Sequence, residues 1–224
     1  AEFAELAANE FFCMEAARLA GIPVPKVLLS EDRRLLIMER FDLAPDGSYL
    51  GVEDFCVLNG MRSSGRYDAS YELIAKRIKQ FVSPAFQRQA LEQFFAMLAL
   101  SCAVENGDAH LKNFAVLYRD PESDVRLAPA YDIVSTTLYQ PRDTLALTLA
   151  ESKRFPDKDT LVAFGRRACD LPAARVSALL RKVAEGVVQA AEMIRAYAKE
   201  KPDFEPAASR LLSVFERGLG RSLH

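Results

Sequence analysis

Three polar residues in the middle of the sequence have the types and the spacing that phosphoryl transfer requires. Asp108 is followed by Asn113, and Asp132 comes after a short segment with the pattern of a hairpin. A carboxylate can orient an attacking hydroxyl group and accept its proton, while an amide oxygen and a second carboxylate hold the Mg²⁺ ions that neutralise a triphosphate. The alternative is a solvated turn whose Asp and Asn side chains only cap backbone groups. The order of the three residues behind a predicted buried helix favours the chemical interpretation.

A long helix is predicted immediately before these residues. Ser83 and Pro84 are typical of a helix start, with serine as the cap and proline in the first turn. Apolar residues then recur at helical spacing, and they widen into a fully apolar face towards the end. The helix is expected to stop at Asn106 and Gly107 in a left-handed cap. It would present the following loop, residues 108–112, at the end of a buried element.

A hairpin is predicted between this loop and Asp132. Strands at 114–118 and 125–128 are separated by a turn-forming stretch at 120–124. Because the second strand returns alongside the first, Asn113 and Asp132 would lie close together. A shared metal site requires that proximity.

The sequence resembles a known family in this region. Residues 106–114 (Asn-Gly-Asp-Ala-His-Leu-Lys-Asn-Phe) and 126–132 (Arg-Leu-Ala-Pro-Ala-Tyr-Asp) resemble the C-terminal kinase domain of the HipA family, the toxin kinases of bacterial toxin–antitoxin modules. The Asp-x-x-x-x-Asn spacing is also similar to the catalytic loop of protein kinases, and Asp-x-His-x-x-Asn resembles that of phosphoinositide kinases. Further similarity at 9–25, 36–42 and 67–72 extends the resemblance over most of the chain.

The resemblance implies an α+β, mostly helical fold, similar to the C-lobe of a protein kinase with a remnant of the N-lobe (a helix plus strands). Residues 1–42 would form the N-lobe remnant and hinge, and residues 43–224 the helical catalytic lobe. The implied activity is that of a serine/threonine protein kinase toxin that uses ATP and Mg²⁺ on a protein substrate. A small DNA-binding antitoxin would hold the toxin in check and would provide any contact with DNA.

The same resemblance makes Asp108 the catalytic base and makes Asn113 and Asp132 the magnesium ligands. His110 is also counted among the candidate catalytic residues. We expect it to hold the loop in shape by bonding to backbone or to Asp132, rather than to act directly. Lys112 is expected either to contact the transferred phosphate as a point charge or to be solvated.

Adenine would be bound at the hinge. The resemblance places the backbone of Glu39 and Phe41 on adenine and Asp42 near the ribose. Independently, residues 35–38 have the pattern of a buried strand, and an exposed linker leads from it into a turn at 45–47. A strand that ends in such a linker offers unpaired backbone groups to a flat heterocycle. A strand end with a surface salt bridge would give the same pattern.

The start of the chain departs from the family pattern. A kinase needs a glycine-rich loop and a strand lysine ahead of its first helix. Here the chain opens in an acidic, alanine-rich helix predicted at 1–20, and the first lysine is Lys26. Glu10 could pair with such a lysine, and Glu5 and Glu15 are also candidates. We therefore expect the N-terminal lobe to be absent from this sequence or supplied separately.

Two other functions remain open. If nucleotide transfer is lost with the N-lobe, the chain would be a non-catalytic module that binds nucleotide or antitoxin. A small-molecule kinase would use a similar set of Asp and Asn residues.

Composition limits the class of protein. The chain of 224 residues is 50% hydrophobic and can bury a large core, and its net charge of −2 argues against DNA binding through a basic surface. No apolar run is long enough to span a membrane, and the acidic first residues argue against a signal peptide. The four cysteines are scattered without a CxxC pair, which indicates reduced thiols in a cytoplasmic protein.

The second half of the sequence is predicted to be mainly helical. The exception is a short strand at 145–149, where apolar and polar residues alternate. A helix capped by Asp159 or Thr160 follows, then a long helix at 172–199 and a last one at 206–219. Their apolar stripes are expected to form the core rather than to bind a partner.

Overall fold

Helices make up most of the protein, and small antiparallel sheets lie beside them. The computed structural model describes residues 3–122 and 124–224. The predicted α+β, mostly helical fold class is confirmed. In chain order the elements are α1 (Leu6–Leu19), β1 (Val27–Leu29), β2 (Leu36–Met38), β3 (Gly51–Asp54), α2 (Phe55–Leu58), α3 (Tyr71–Phe81), α4 (Pro84–Ala103), β4 (Ala115–Tyr118), β5 (Val125–Leu127), α5 (Lys158–Arg167), α6 (Ala173–Glu200) and α7 (Glu205–Ser222).

Helix α4 forms the centre of the core, as the apolar pattern predicts. Phe94, Leu98 and Cys102 on it are fully buried, and the helix packs against both α6 and α7. Helix α7 crosses the end of α4 in backbone contact, because a Cβ atom added at Gly218 would lie 2.2 Å from the carbonyl oxygen of Ala103. Only glycine allows this approach. It places α7 directly behind the loop that carries the candidate catalytic residues.

The start of α4 lies where it is predicted, but its cap works differently. Ser83 is the N-cap residue and Pro84 is the first helical residue. The hydroxyl of Ser83 does not cap the helix; it accepts a hydrogen bond from the amide of Val125 (3.0 Å). The serine therefore joins the start of α4 to strand β5.

The predicted left-handed cap at Asn106 and Gly107 is wrong by one or two residues. The left-handed residue is Glu105, with φ of 51°. This conformation is unfavourable for a residue with a side chain, and a tertiary interaction stabilises it. The carboxylate of Glu105 is buried and bound by Arg217 and Arg221 of α7, a contact that local sequence does not reveal.

The predicted hairpin is present as β4 and β5, with Val116 opposite Leu127. Strand β3 was not predicted; it pairs with the other edge of β4 and places Val52 opposite Leu117. Ser123, in the predicted turn, lies outside the described residues. The sheet lies directly after the candidate loop in the chain, because β4 begins two residues after Asn113.

Strands β1 and β2 form a separate antiparallel pair, with Leu28 opposite Ile37. The strand at 35–38 was expected to be buried, and this is wrong. Ile37 is 53% exposed and Leu35 is 61% exposed, while the other face of the pair packs on α1. A short apolar run carries no alternation from which the exposed face could be recognised.

Two further differences concern chain segments around the core. The strand predicted at 145–149 is wrong: its leucines are buried, but its backbone makes only isolated bridges, such as Ser70 with Thr148. No neighbouring strand in the described residues continues the ladder. Helix α3 was missed, although Ser70 caps it by accepting from the amide of Leu73.

The other boundaries agree within a few residues. Gly21, with φ of 77°, follows α1; residues 1–2 of the predicted first helix lie outside the described residues. Helix α5 begins earlier than expected, since Asp157 caps it by accepting from Thr160. The four cysteines are free and buried. In the described part of the chain, no helix has the length and apolarity needed to cross a bilayer.

Candidate active site

A cavity of about 520 Å³ brings together α1, the loop after α4 and the segment after β5. Two of the predicted site residues, Asp108 and Asp132, line it, together with Glu10 and Asp143. No lysine or arginine is among the described residues of its wall. The cavity is therefore strongly acidic.

Asn113 lies beneath this cavity and joins its two sides. Its side-chain amide donates to the backbone carbonyl of Asp108 (3.0 Å) and is within 3.5 Å of the carbonyl of Asp132. Asn113 is only 5% exposed. The structure thus brings Asp108, Asn113 and Asp132 together. Since the amide nitrogen is used for these bonds, the side-chain oxygen is the atom available for a metal.

Further hydrogen bonds hold the two chain segments of the site against each other. The amide of Gly107 donates to the hydroxyl of Thr136 (2.8 Å), and the amide of Thr136 donates to the carbonyl of Glu105 (3.2 Å). The hydroxyl of Tyr131 donates to the carbonyl of Lys112 (2.8 Å). These contacts make the site one connected unit, although its residues come from separate parts of the chain.

No lysine or arginine in the described wall of the cavity compensates its acidic groups. Burial and the neighbouring Asp108 raise the pKa of Asp132, although His110 and Asn113 act in the opposite direction. Burial, with Asp132 close by, raises the pKa of Glu10 to about 7. A cation in the cavity would reverse both shifts, because an opposite charge favours the ionised carboxylate.

The available ligands suit a magnesium ion that is bound together with a nucleotide. Within residues 3–122 and 124–224, no group of three or more His, Cys, Asp or Glu side chains could hold a metal by itself. Mg²⁺ usually takes one or two carboxylates and completes its shell with water and substrate phosphates. The oxygen of Asn113 and the carboxylate of Asp132 fit that pattern.

Of the three candidate helix glutamates, only Glu10 lines the cavity. Glu5 is paired with Arg33 (2.9 Å), and Glu15 is paired with Arg18 (2.7 Å). Glu10 is therefore the helix glutamate that is placed to form an ion pair with the strand lysine of a kinase N-lobe.

His110 is buried in the loop and is only partly engaged. Its backbone amide donates to the carbonyl of Asp108 (2.7 Å), and its ring nitrogen Nε2 lies 4.0 Å from the carboxylate of Asp108. Neither form of the expected side-chain hydrogen bond, to backbone or to Asp132, is found in the described part of the chain, where Nδ1 has no partner. The ring instead makes an edge-on contact with Tyr67 at 5.0 Å.

Lys112 does not line the cavity, and its partly exposed side chain is paired rather than free in solvent. Its ammonium group lies 2.8 Å from the carboxylate of Asp54, which also caps α2. This hydrogen bond with Asp54 raises the pKa of Lys112 above its ordinary value. The pair fastens the loop to the neighbouring helix.

None of the predicted hinge residues lines the acidic cavity. Phe41 stacks on Tyr131 at 5.4 Å, so the hinge lies against the residue next to Asp132. The amide of Glu39 already donates to the carbonyl of Lys26 (2.9 Å). Asp42 forms a salt bridge with Arg40 (2.5 Å), which is the surface pair considered as the alternative interpretation.

Sequence reasoning missed two residues that hold the site. The hydroxyl of Tyr67 donates to the carboxylate of Asp108 (2.7 Å). The side chain of Asn9 on α1 makes two hydrogen bonds with the backbone of Ser135 (2.9 and 3.0 Å). Both contacts join residues far apart in the chain, so local pattern offers no signal; the resemblance includes residues 9 and 67 but assigns them no contact.

A family comparison agrees with this fold. The model of the HipA-like C-terminal domain matches residues 1–191. The chain belongs to this family. The match covers all the candidate site residues and ends within α6, so α7 lies beyond it.

Two proteins of Sinorhizobium fredii are similar in sequence. "Putative kinase Y4dM" is 31% identical over 178 residues, covering 71% of this chain and 42% of the relative. "Putative kinase Y4mE" is 29% identical over 210 residues, covering 86% of this chain and 49% of the relative. The chain thus spans less than half the length of these relatives.

Two solved structures share the fold. One belongs to the Shewanella oneidensis MR-1 complex of HipA, HipB and operator DNA, with a TM-score of 0.74, 20% identity and coverage of 98% of this chain and 57% of that chain. The other is the Helicobacter pylori proinflammatory kinase CtkA, with a TM-score of 0.67, 14% identity and coverage of 97% and 84%. These likenesses confirm the predicted kinase-like fold.

Proposed function

We propose that the full-length protein is an ATP- and Mg²⁺-dependent serine/threonine protein kinase of the HipA toxin type. The observation that supports this most directly is the convergence of Asp108, Asn113 and Asp132 at one cavity. They come from a loop and from the segment after a hairpin, and partly buried hydrogen bonds hold them together. Phosphoryl transfer uses this combination of a base and two metal ligands.

Asp108 is the proposed general base. Its side chain is 46% exposed at the cavity, so it can meet the hydroxyl group of a protein substrate and accept its proton. The oxygen of Asn113 and the carboxylate of Asp132 would hold Mg²⁺, which supplies positive charge to the phosphates when bound. His110 would keep the loop in shape, and Lys112 would anchor it through Asp54.

The proposed adenine site is the linker after β2. Because the amide of Glu39 is already bonded to Lys26, Glu39 would offer its carbonyl oxygen to the amino group of adenine. Phe41 would offer its backbone amide. Asp42 would contact the ribose, for which it must give up its salt bridge with Arg40.

Electrostatics implies that part of the phosphate site lies outside this chain. A triphosphate carries several negative charges, and the described wall of the cavity contains acidic residues without lysine or arginine. Magnesium can offset only part of this repulsion. We propose that residues 1–42 are the remnant of an N-lobe, and that the rest of the lobe provides a glycine-rich loop and a lysine that reaches Glu10.

A small DNA-binding antitoxin is the proposed partner. The Shewanella oneidensis structure contains HipA together with HipB and operator DNA. With a net charge of −2, this chain would meet DNA through its partner rather than through a basic surface of its own. The buried free cysteines suit a reducing cytoplasm.

The decisive test is Asp108→Ala in the full-length protein. Transfer of labelled phosphate from ATP to casein, and to the protein itself, should fall by about 10²–10⁴-fold, the usual contribution of a positioned base. The melting temperature should change little, because the side chain is exposed rather than packed. Asp159→Ala, at an exposed position on α5, is the matched control and should keep parental activity. Activity of Asp108→Ala within threefold of the parent would exclude Asp108 as the base.

A further inference from the structure

The candidate base has a fixed neighbour on one side. The hydroxyl of Tyr67 donates to Oδ1 of Asp108 at 2.7 Å, although the two residues are 41 positions apart in the sequence. Both line the same cavity. The contact leaves Oδ2 as the other oxygen of the carboxylate.

Tyr67 also has contacts that do not involve Asp108. The guanidinium group of Arg66 lies over its ring at 4.8 Å, and the ring of His110 contacts it edge-on. The backbone carbonyl of Arg66 also accepts from the amide of Leu111 (3.2 Å), within the candidate catalytic loop. These contacts hold the ring of Tyr67 in place, so its hydroxyl group can orient the carboxylate of Asp108.

A half-exposed carboxylate on a loop would otherwise sample several rotamers. A hydroxyl group that stays protonated can select one of them. Burial, together with the neighbouring Asp108, raises the pKa of Tyr67, so the phenol remains a neutral donor at physiological pH.

We propose that Tyr67 is a positioning residue, which holds Oδ1 of Asp108 so that Oδ2 faces the hydroxyl group of the acceptor. This inference rests on the proposed kinase function and adds to it a residue outside the catalytic loop. Tyr67 itself does not exchange a proton with the substrate. It acts by keeping the base in near-attack geometry, where a displacement of about 1 Å can cost about 100-fold in rate.

A competing interpretation makes the opposite prediction. A phenol that donates to the base could occupy the place of the acceptor hydroxyl and block the site. Removing that hydroxyl would then increase transfer to substrate, whereas removing a positioning group decreases it.

The test is Tyr67→Phe in the full-length protein, which removes the hydroxyl and keeps the ring against His110 and Arg66. The kcat for phosphate transfer from ATP to casein should fall about 10- to 100-fold. The concentrations of ATP and Mg²⁺ that give half-maximal rate should stay within about twofold of the parent, because neither ligand is proposed to contact Tyr67. Tyr118→Phe is the matched control, since its hydroxyl also donates to a carboxylate, that of Glu53 (3.1 Å), outside the cavity.

A double-mutant cycle separates positioning from a general loss of structure. In an Asp108→Ala background, Tyr67→Phe should have almost no further effect, because the group it positions is gone. An equal loss in both backgrounds, an unchanged kcat or an increased kcat would each overturn the inference. If the parent itself transfers phosphate neither to casein nor to itself, the proposed function fails and this inference fails with it.

Discussion

Asp132 and Glu10 are carboxylates in a partly buried cavity whose described wall has no lysine or arginine. The pKa values of both are raised, in each case first by burial and then by a neighbouring carboxylate. Asp132 also adopts a left-handed backbone, with φ of 57°, a conformation that costs about 1–3 kcal/mol for a residue with a side chain. An arrangement that is unfavourable by itself, but favourable once a cation is bound, is expected for a ligand site.

Asn113 and Asp132 should behave as one metal site. Asn113→Ala and Asp132→Ala, each in the full-length protein, are expected to raise the Mg²⁺ concentration needed for half-maximal binding of a fluorescent ATP analogue. The double variant should be far from additive, since loss of either ligand removes the site. Asp159→Ala should leave the Mg²⁺ requirement unchanged. Two independent, additive losses would show that only one of the pair contacts metal.

Glu10 should make the stability of this chain depend on pH. Its pKa in the folded state is about 7, above the ordinary value, so the folded state binds the proton more tightly than the unfolded state. Stability from this group is greatest below about pH 4.5 and is lost as the pH rises towards 7 and beyond. Glu10→Gln, which cannot ionise, should therefore gain stability over the parent between pH 5 and pH 8, by on the order of 2 kcal/mol.

Urea unfolding of both proteins at several pH values, without nucleotide or metal, measures this difference. Glu15→Gln is the control, because Glu15 is paired with Arg18 and lies outside the cavity. A constant difference between Glu10→Gln and the parent from pH 5 to pH 8 would contradict the assignment.

At the scale of elements, α7 is connected to the candidate catalytic loop through Glu105. The carboxylate of Glu105 accepts from Arg217 (3.0 Å) and Arg221 (2.7 Å) of α7 and from Thr137 (2.6 Å) in the segment after Asp132. One buried side chain thus joins the end of α4, the segment after Asp132 and the last helix. The family match ends at residue 191, so Arg217 and Arg221, which hold Glu105, lie outside the matched region.

Glu105→Gln should destabilise the protein at neutral pH. Burial by itself would raise the pKa of Glu105, but hydrogen bonds from Arg217, Thr137 and Arg221 outweigh it and lower the pKa below its ordinary value. Loss of the charge leaves two arginines without their partner and should cost about 2–4 kcal/mol, somewhat less than the roughly 3–5 kcal/mol for a fully buried pair, because both arginines are partly exposed. Chemical unfolding measures the loss, and Glu216→Gln, at an exposed position on α7, is the control.

The pH dependence of this effect has a defined sign. A carboxyl group whose pKa is lower in the folded state contributes stability above its unfolded pKa, and the contribution is lost as the pH falls through the folded pKa. The difference between Glu105→Gln and the parent should therefore shrink in acid. A difference that persists unchanged at pH 3 would mean that the ion pair is not its source.

At the scale of the whole molecule, the chain presents two features that a further segment could complete. The acidic cavity has no lysine or arginine in its described wall. The outer face of β1 and β2 exposes Leu28 and Ile37, and a two-stranded sheet is rarely stable by itself. Since the chain covers 42% and 49% of its curated relatives, part of the machinery of those proteins has no counterpart here.

The isolated chain should therefore bind ATP weakly and transfer phosphate close to background. It keeps the proposed base, metal ligands and hinge, but the described wall of its cavity offers no lysine or arginine to the β- and γ-phosphates, so near-attack geometry should rarely be reached. Adding the preceding segment of the protein, covalently or as a separate chain, should restore transfer by several orders of magnitude. Titration calorimetry with Mg²⁺–ATP and a labelled-phosphate assay measure both steps.

Two results would contradict this account of the missing groups. If residues 1–224 phosphorylate protein as fast as the longer protein, the phosphate site is complete without the preceding segment. If the longer protein is inert and binds no nucleotide, the chain is a binding module rather than part of an enzyme.

The sequence by itself determined the features that depend on neighbours in the chain. The start of α4 follows from Pro84 in its first turn, the end of α1 from Gly21, and the candidate loop from a contiguous motif at 106–114. Local sterics and local hydrogen bonds decide such features, so residue type and spacing are sufficient. The family and its fold class could be predicted for the same reason, because contiguous motifs carry the resemblance.

Only the tertiary structure decided which residues meet across the chain. It selected Glu10 over Glu5 and Glu15, brought Tyr67 to Asp108, and moved the left-handed residue to Glu105. Lys112 is paired with Asp54. Residues 145–149 do not form the predicted strand, because only isolated bridges join them to other segments. Each outcome depends on a partner far away in the sequence, and the free energy of that contact outweighs the weak local preference. The charge balance of the cavity is likewise a property of the folded chain, because it is the sum over residues from separate segments.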